Sequence, residues 1–247
     1  MRNKPSFRIA RSSFAIGAVL LVVAILGGFS EPDIRAAAEE TASSAGAGDG
    51  GPQVVAPEPE GSVDVAKLMQ PHGIEDRVVG DPDAPVTIVE YASMTCDHCA
   101  RFHNESLPTI KRDYIDTGKV KLIIREFPFD PVALAAFMLA RCAPNDSREK
   151  MIEVLFSQGE TWAHADNPSE KLLGISKLAG FTDESFKACL SDKEMQKRIV
   201  QTKERGQFTF GVDSTPTFFI QGDKYRGALP AGEMAAVLDK YVAAAAD

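Results

Sequence analysis

The stretch Ser93-Met94-Thr95-Cys96-Asp97-His98-Cys99-Ala100-Arg101-Phe102-His103 (SMTCDHCARFH) sets two sulfurs two residues apart, with one histidine between them and another just beyond. Such a spacing serves a redox disulfide, part of a zinc site or a structural staple. Upstream, Gly80-Asp81-Pro82-Asp83-Ala84-Pro85 is a turn-rich entry to Val86–Tyr91 (VTIVEY), a β-branched, largely apolar run that predicts a buried strand. Downstream, Phe102, Leu107, Ile110 and Tyr114 recur at helical spacing and predict a helix from about Cys99 to Tyr114, kinked at Pro108. A cysteine where a strand runs into a helix meets unsatisfied amide groups and the helix dipole, both of which favour negative charge. There the Cys96 thiol loses its proton readily and attacks a disulfide, and Cys99, one turn further in, resolves the product. His98 would favour the Cys96 thiolate further, and Asp97 opposes it. The zinc reading has Cys96, Cys99 and His103 but lacks a fourth ligand. A purely structural bridge would close too short a loop to stabilise much.

The order of elements continues with Lys119–Phe127 as a second strand, which completes a β-α-β unit. From Pro131 the period is helical for many residues: Val132–Cys142, Arg148–Phe156, Glu170–Ala179 after Ser169 as cap, and Glu184–Leu190 after Thr182. Ser191-Asp192-Lys193-Glu194 has capping-box spacing and opens a helix toward Arg205. Strand character returns at Thr217–Gln221, with a type II′ turn expected at Gly222-Asp223, a return strand at Lys224–Arg226 and a last helix over Met234–Ala244. Helices on the faces of a small mixed sheet are the simplest packing for this order. Trp162 and His164 read as a loop contact.

At the N-terminus Arg2, Lys4, Arg8 and Arg11 precede the apolar run Phe14–Phe29, the pattern of an export signal. Residues 1–35 are therefore expected to be a signal peptide or an uncleaved membrane anchor. Residues 36–62, rich in Ala, Gly, Glu and Pro, are expected to be a disordered linker. The 247-residue chain carries a formal net charge of -8 and no Lys/Arg-rich run in its body, which argues against a nucleic-acid partner. Four cysteines in an exported chain make 96–99 and 142–189 the economical pairing, with two free buried thiols at Cys142 and Cys189 as the alternative.

Cys96-Asp97-His98-Cys99 after a buried strand, then a long helical stretch, then Ser214-Thr215-Pro216-Thr217, resembles the DsbA-like branch of the thioredoxin fold over about Val63 to Asp247. The resemblance implies an α/β thioredoxin fold with an inserted all-helical subdomain: a first thioredoxin-like part over 63–130, the insertion over 131–208, and a second part over 209–247. It implies periplasmic thiol–disulfide oxidoreductase activity without cofactor or metal, Cys96 being the exposed nucleophile and Cys99 buried. Pro216 would be a cis-proline beside the disulfide, and Thr215 would offer backbone hydrogen bonds to substrate. Glu90 matches a buried family carboxylate that relays protons near Cys99; read from its strand alone it is equally an edge acid pointing to water. His103 stands where the family more often has an acid. A Cys142–Cys189 bridge resembles the DsbA-like proteins of some alphaproteobacteria. The implied partners are exported folding proteins and a DsbB-like membrane quinone reductase that reoxidises a monomer. Two other readings stand beside the dithiol oxidase. One is a reductase or isomerase, since Thr215 occurs there too and Asp97 departs from the Pro-His pair of strong oxidants. The other is a metal-binding envelope protein.

Overall fold

Residues 54–246 are described by a computed structural model of the chain; the signal or anchor expected over 1–35 and most of the linker expected over 36–62 lie outside the described residues. Five strands, β1 (Val78–Val79), β2 (Val86–Ala92), β3 (Val120–Glu126), β4 (Thr217–Ile220) and β5 (Asp223–Arg226), form one sheet in the order β1-β3-β2-β4-β5. The β2–β3 pair is parallel, as a β-α-β unit requires, and the other pairs are antiparallel. Because β2 lies between β3 and β4, six of its seven residues are buried, which is why its sequence is a nearly continuous apolar run. Alternation sends Val86, Ile88 and Ala92 into the larger apolar core, and Val89 and Tyr91 into a smaller one with Phe127, Phe210 and Phe219. Glu90 shares the face of Ile88 and Ala92.

The helices are α1 (Val65–Met69), α2 (Asp97–Arg101), α3 (Leu107–Ile110), α4 (Pro131–Arg141), α5 (Arg148–Ser157), α6 (Gly159–Trp162), α7 (Pro168–Leu178), α8 (Asp183–Leu190), α9 (Lys193–Phe210) and α10 (Ala231–Ala246). Two π-turns, Phe102–Ser106 and Lys111–Ile115, flank α3, so the chain stays helical from Asp97 to Ile115. The expected kink is thus replaced by wider turns. Pro108 offers no N–H to the turn before it and crowds a carbonyl there, and a widened turn relieves both.

Several boundaries differ from expectation. The cap of α7 is Asn167 with Pro168 in the first turn, not Ser169, and the cap of α9 is Asp192, not Ser191. In each case a side-chain oxygen one or two positions away accepts the early helix amide instead. The hairpin turn is Gln221-Gly222, with both φ positive (50° and 96°), rather than Gly222-Asp223; two positive values make it type I′. A Cβ on Gly222 would also come within 2.7 Å of the Val63 carbonyl. Trp162 is a fully buried core residue that donates to the Leu155 carbonyl at 2.9 Å, not a loop contact.

The end of the expected linker is ordered. Glu60 N–H donates to Lys224 O at 2.8 Å, Lys224 N–H to Gly61 O at 2.8 Å, and Val63 N–H to Gly222 O at 2.9 Å, so these residues run beside β5. Composition alone missed this because main-chain pairing to an open strand needs no apolar side chains.

Cys142, which ends α4, is bonded to Cys189 in α8, with Cα atoms 6.1 Å apart and a sequence separation of 47. α9 comes close to the sheet at Gly206, where a Cβ would meet the Tyr91 ring at 2.6 Å. Among the described residues no helix is long and apolar enough to cross a membrane.

Candidate active site

Cys96 is the N-cap of α2, and its carbonyl accepts the Ala100 amide at 3.0 Å. The preceding Thr95 hydroxyl donates to Asp130 Oδ2 at 2.5 Å, while Asp130 Oδ1 caps α4 by accepting the Ala133 amide at 2.8 Å. One carboxylate therefore ties the cysteine loop to the first helix of the helical block. On the opposite side the Thr215–Pro216 bond is cis, and the Cys96 thiol donates to the Thr215 carbonyl at 3.3 Å. Cys96, Cys99, Thr215 and Pro216, far apart in sequence, thus meet at the C-terminal end of β2.

The two thiols have opposite environments. Cys96 is partly exposed and Cys99 has no exposed surface. The hydrogen bond from Cys99 is the main cause that lowers the Cys96 thiol from 9.0 to about 5; desolvation opposes it, and the Thr215 side chain and the amides of Cys99 and His98 add to it. For Cys99, burial raises the thiol well above its ordinary value, and the bond to Cys96 and the Glu90 charge act in the same direction.

The ring of His98 is engaged with its own helix: its Nδ1 accepts from Arg101 Nη2 at 3.1 Å. What His98 gives Cys96 is its backbone amide, a correction to the expectation that rested on its imidazole. Asp97, the opposing charge, is exposed and stands 3.6 Å from His164 Nε2. Solvent and a basic neighbour both screen it.

Glu90 has no exposure, which overturns its reading as an edge acid pointing to water. Its oxygens lie 3.1 and 3.0 Å from His103 Nε2. With His103 engaged there, Cys96, Cys99 and His103 do not gather as a metal-binding group. His103, which the sequence offered only as a third ligand of the zinc alternative, is instead the partner of Glu90. Four residues after Cys99, it shares that residue's helix face, but the spacing alone does not set it against Glu90. A polar cleft of about 490 Å³ opens beside Cys96, between α2 on one side and Phe156, Gly159 and Ala163 on the other.

The thioredoxin family model matches residues 73–240. Among solved structures, that of Wolbachia pipientis alpha-DsbA1 is 32% identical, covers 73% of this chain and 96% of its own, and superposes with a TM-score of 0.68. The chain is a DsbA-like member of the thioredoxin family. Bacillus subtilis BdbD, at 19% identity and a TM-score of 0.60, shares the fold. A Rickettsia bellii protein assigned by name to the protein-disulfide oxidoreductases is 34% identical over 149 residues, 60% of this chain. This DsbA-like chain spans 57% of the length of that curated relative.

Proposed function

We propose that this protein is a periplasmic dithiol oxidase that donates a Cys96–Cys99 disulfide to exported proteins as they fold. The asymmetry of the pair carries the reading: a partly exposed Cys96 lowered to about 5 beside a fully buried Cys99 held well above its ordinary value. A substrate thiolate attacks Cys96 Sγ of the oxidised protein, forming a mixed disulfide and breaking the bond to Cys99, whose sulfur leaves with the electron pair and takes up a proton. A second substrate thiolate then attacks the substrate sulfur, and Cys96 departs as the thiolate. The substrate loses two electrons and the protein gains them. A stabilised Cys96 thiolate is a good leaving group and favours the reduced protein, which makes the disulfide oxidising. A DsbB-like membrane quinone reductase would restore the disulfide.

Within this reading Cys96 is the nucleophile and Cys99 the resolving thiol. Thr215 and Pro216 form the edge on which substrate main chain is held, and Cys142–Cys189 is a structural bridge. Equilibration of the full chain with glutathione buffers tests it. A potential near -120 mV supports the oxidase, and one near -270 mV, typical of a reductant, overturns it.

A further inference from the structure

Glu90 presents a problem that the cleft beside Cys96 does not solve. The carboxyl is wholly buried, and its one side-chain hydrogen-bond partner among the described residues is His103. A buried thiol that gains and loses a proton in every cycle needs a route to water, and a sealed carboxyl can supply one proton only once.

His103 lies where such a route would run. It sits in the widened turn Phe102–Ser106, with its ring stacked on Phe156 at 4.0 Å and 23°. The same residue lines a second cavity, of about 290 Å³, with Leu107, Ile124 and Ile152 as its apolar floor. That cavity shares no lining residue with the cleft beside Cys96. Its rim is charged: Lys111 stands 2.7 Å from Asp116 and 3.6 Å from Glu149, with Arg112 and Glu153 nearby. A cavity of this volume with a charged rim has room for water beside the ring. Of the two ring nitrogens Nε2 faces Glu90, and Nδ1 has no hydrogen-bond partner among the described residues. Imidazole is suited to this place because it can take a proton on one nitrogen and release one from the other.

We propose that His103 carries protons between Glu90 and the water of this second cavity, so that the proton exchanged with Cys99 travels behind the helix while substrate occupies the front. The proposal rests on the thiol–disulfide exchange reading above. In the oxidising direction the Cys96–Cys99 bond breaks, Cys99 leaves as the thiolate, and the Glu90 carboxyl gives it a proton, directly or through one water. His103 Nε2 then returns a proton to Glu90, and Nδ1 takes one from cavity water. Reoxidation by a partner disulfide runs the same transfers backwards. His103 touches neither sulfur and acts through Glu90, as a positioning residue.

The test is rapid mixing of the oxidised full chain with dithiothreitol, followed by acid quench and alkylation, for wild type, His103→Ala and His103→Gln. Gln can still donate to Glu90 but cannot pass a proton on. The expected result is exchange slowed about tenfold or more in both variants. Added imidazole should restore most of the rate in H103A, and Glu90→Gln in that background should abolish the rescue. Wild-type rates in both variants, or a slow H103A that imidazole does not restore, overturn the proposal. If H103A does not fold, the pH–rate profile of H103Q decides: dependence on buffer-acid concentration supports the proton route, and an equal loss at every pH overturns it. A wild-type chain that does not exchange with dithiothreitol marks failure of the oxidoreductase reading itself.

Discussion

The chain holds two cysteine pairs built to opposite specifications. Cys96 and Cys99 are neighbours on one turn, differ in exposure, and have thiols pushed in opposite directions by their surroundings. Cys142 and Cys189 come from separate helices of the helical block, and their bond closes a 47-residue separation. A bridge across a long loop restricts the unfolded chain strongly, whereas one across two residues restricts it little. The distant pair can therefore stabilise the fold. The near pair contributes little in that way, and the surrounding groups favour its breaking and re-forming. Reactivity in this molecule comes from unequal environments, not from the presence of a disulfide as such.

The comparison breaks most sharply at the nucleophile. Cys96→Ser should reduce exchange with a model dithiol to background, whereas Cys99→Ser should trap a mixed disulfide visible on a non-reducing gel. Loss of both Cys142 and Cys189, as the double alanine variant, should leave exchange in place. It should lower stability by about 4 kcal/mol, or roughly 10 °C in Tm, as read by thermal denaturation of the oxidised protein. Exchange lost in the double variant, despite a folded core, would join the two pairs in function.

A third prediction concerns pH. The Cys96 thiol is lowered from 9.0 to about 5, so alkylation by iodoacetamide should be nearly constant at neutral pH and fall with a midpoint near pH 5. Between these values the unfolded reduced chain holds a proton that the folded one has released. The reduced form should therefore gain stability over the oxidised form as pH rises from 5 to 9, and lose that gain as pH falls through 5. Denaturant titrations of both forms across this range check the sign. The smallest effect belongs to Asp130, which joins the region of one pair to that of the other. Asp130→Ala should cost about 1 kcal/mol through the lost cap of α4 and alter the exchange rate through the freed Thr95.

Much of the fold was legible because its signals are local. The Val86–Tyr91 run, the cysteine pair at its end and the long helical stretch after Pro131 each announce themselves by composition and period. β1 was not legible, since two residues on a sheet edge carry no period. The turn at Gln221 was missed because Gln seldom takes a positive φ and nothing nearby signals that it does so here. In the site, the cysteines and the Thr215–Pro216 turn could be read from spacing and resemblance. The Glu90–His103 pair could not, because it depends on how the helix face settles on β2, a tertiary fact. Seen from its own strand, Glu90 had two opposite readings, and only packing chose between them.

The residues laid along β5 have a further consequence. An open sheet edge presents a row of unpaired amides and carbonyls to which another extended chain can add itself. Through Glu60, Gly61 and Val63 this molecule fills that row with its own backbone. A protein proposed to meet unfolded chains all its life thereby denies those chains the β5 edge as a strand to copy.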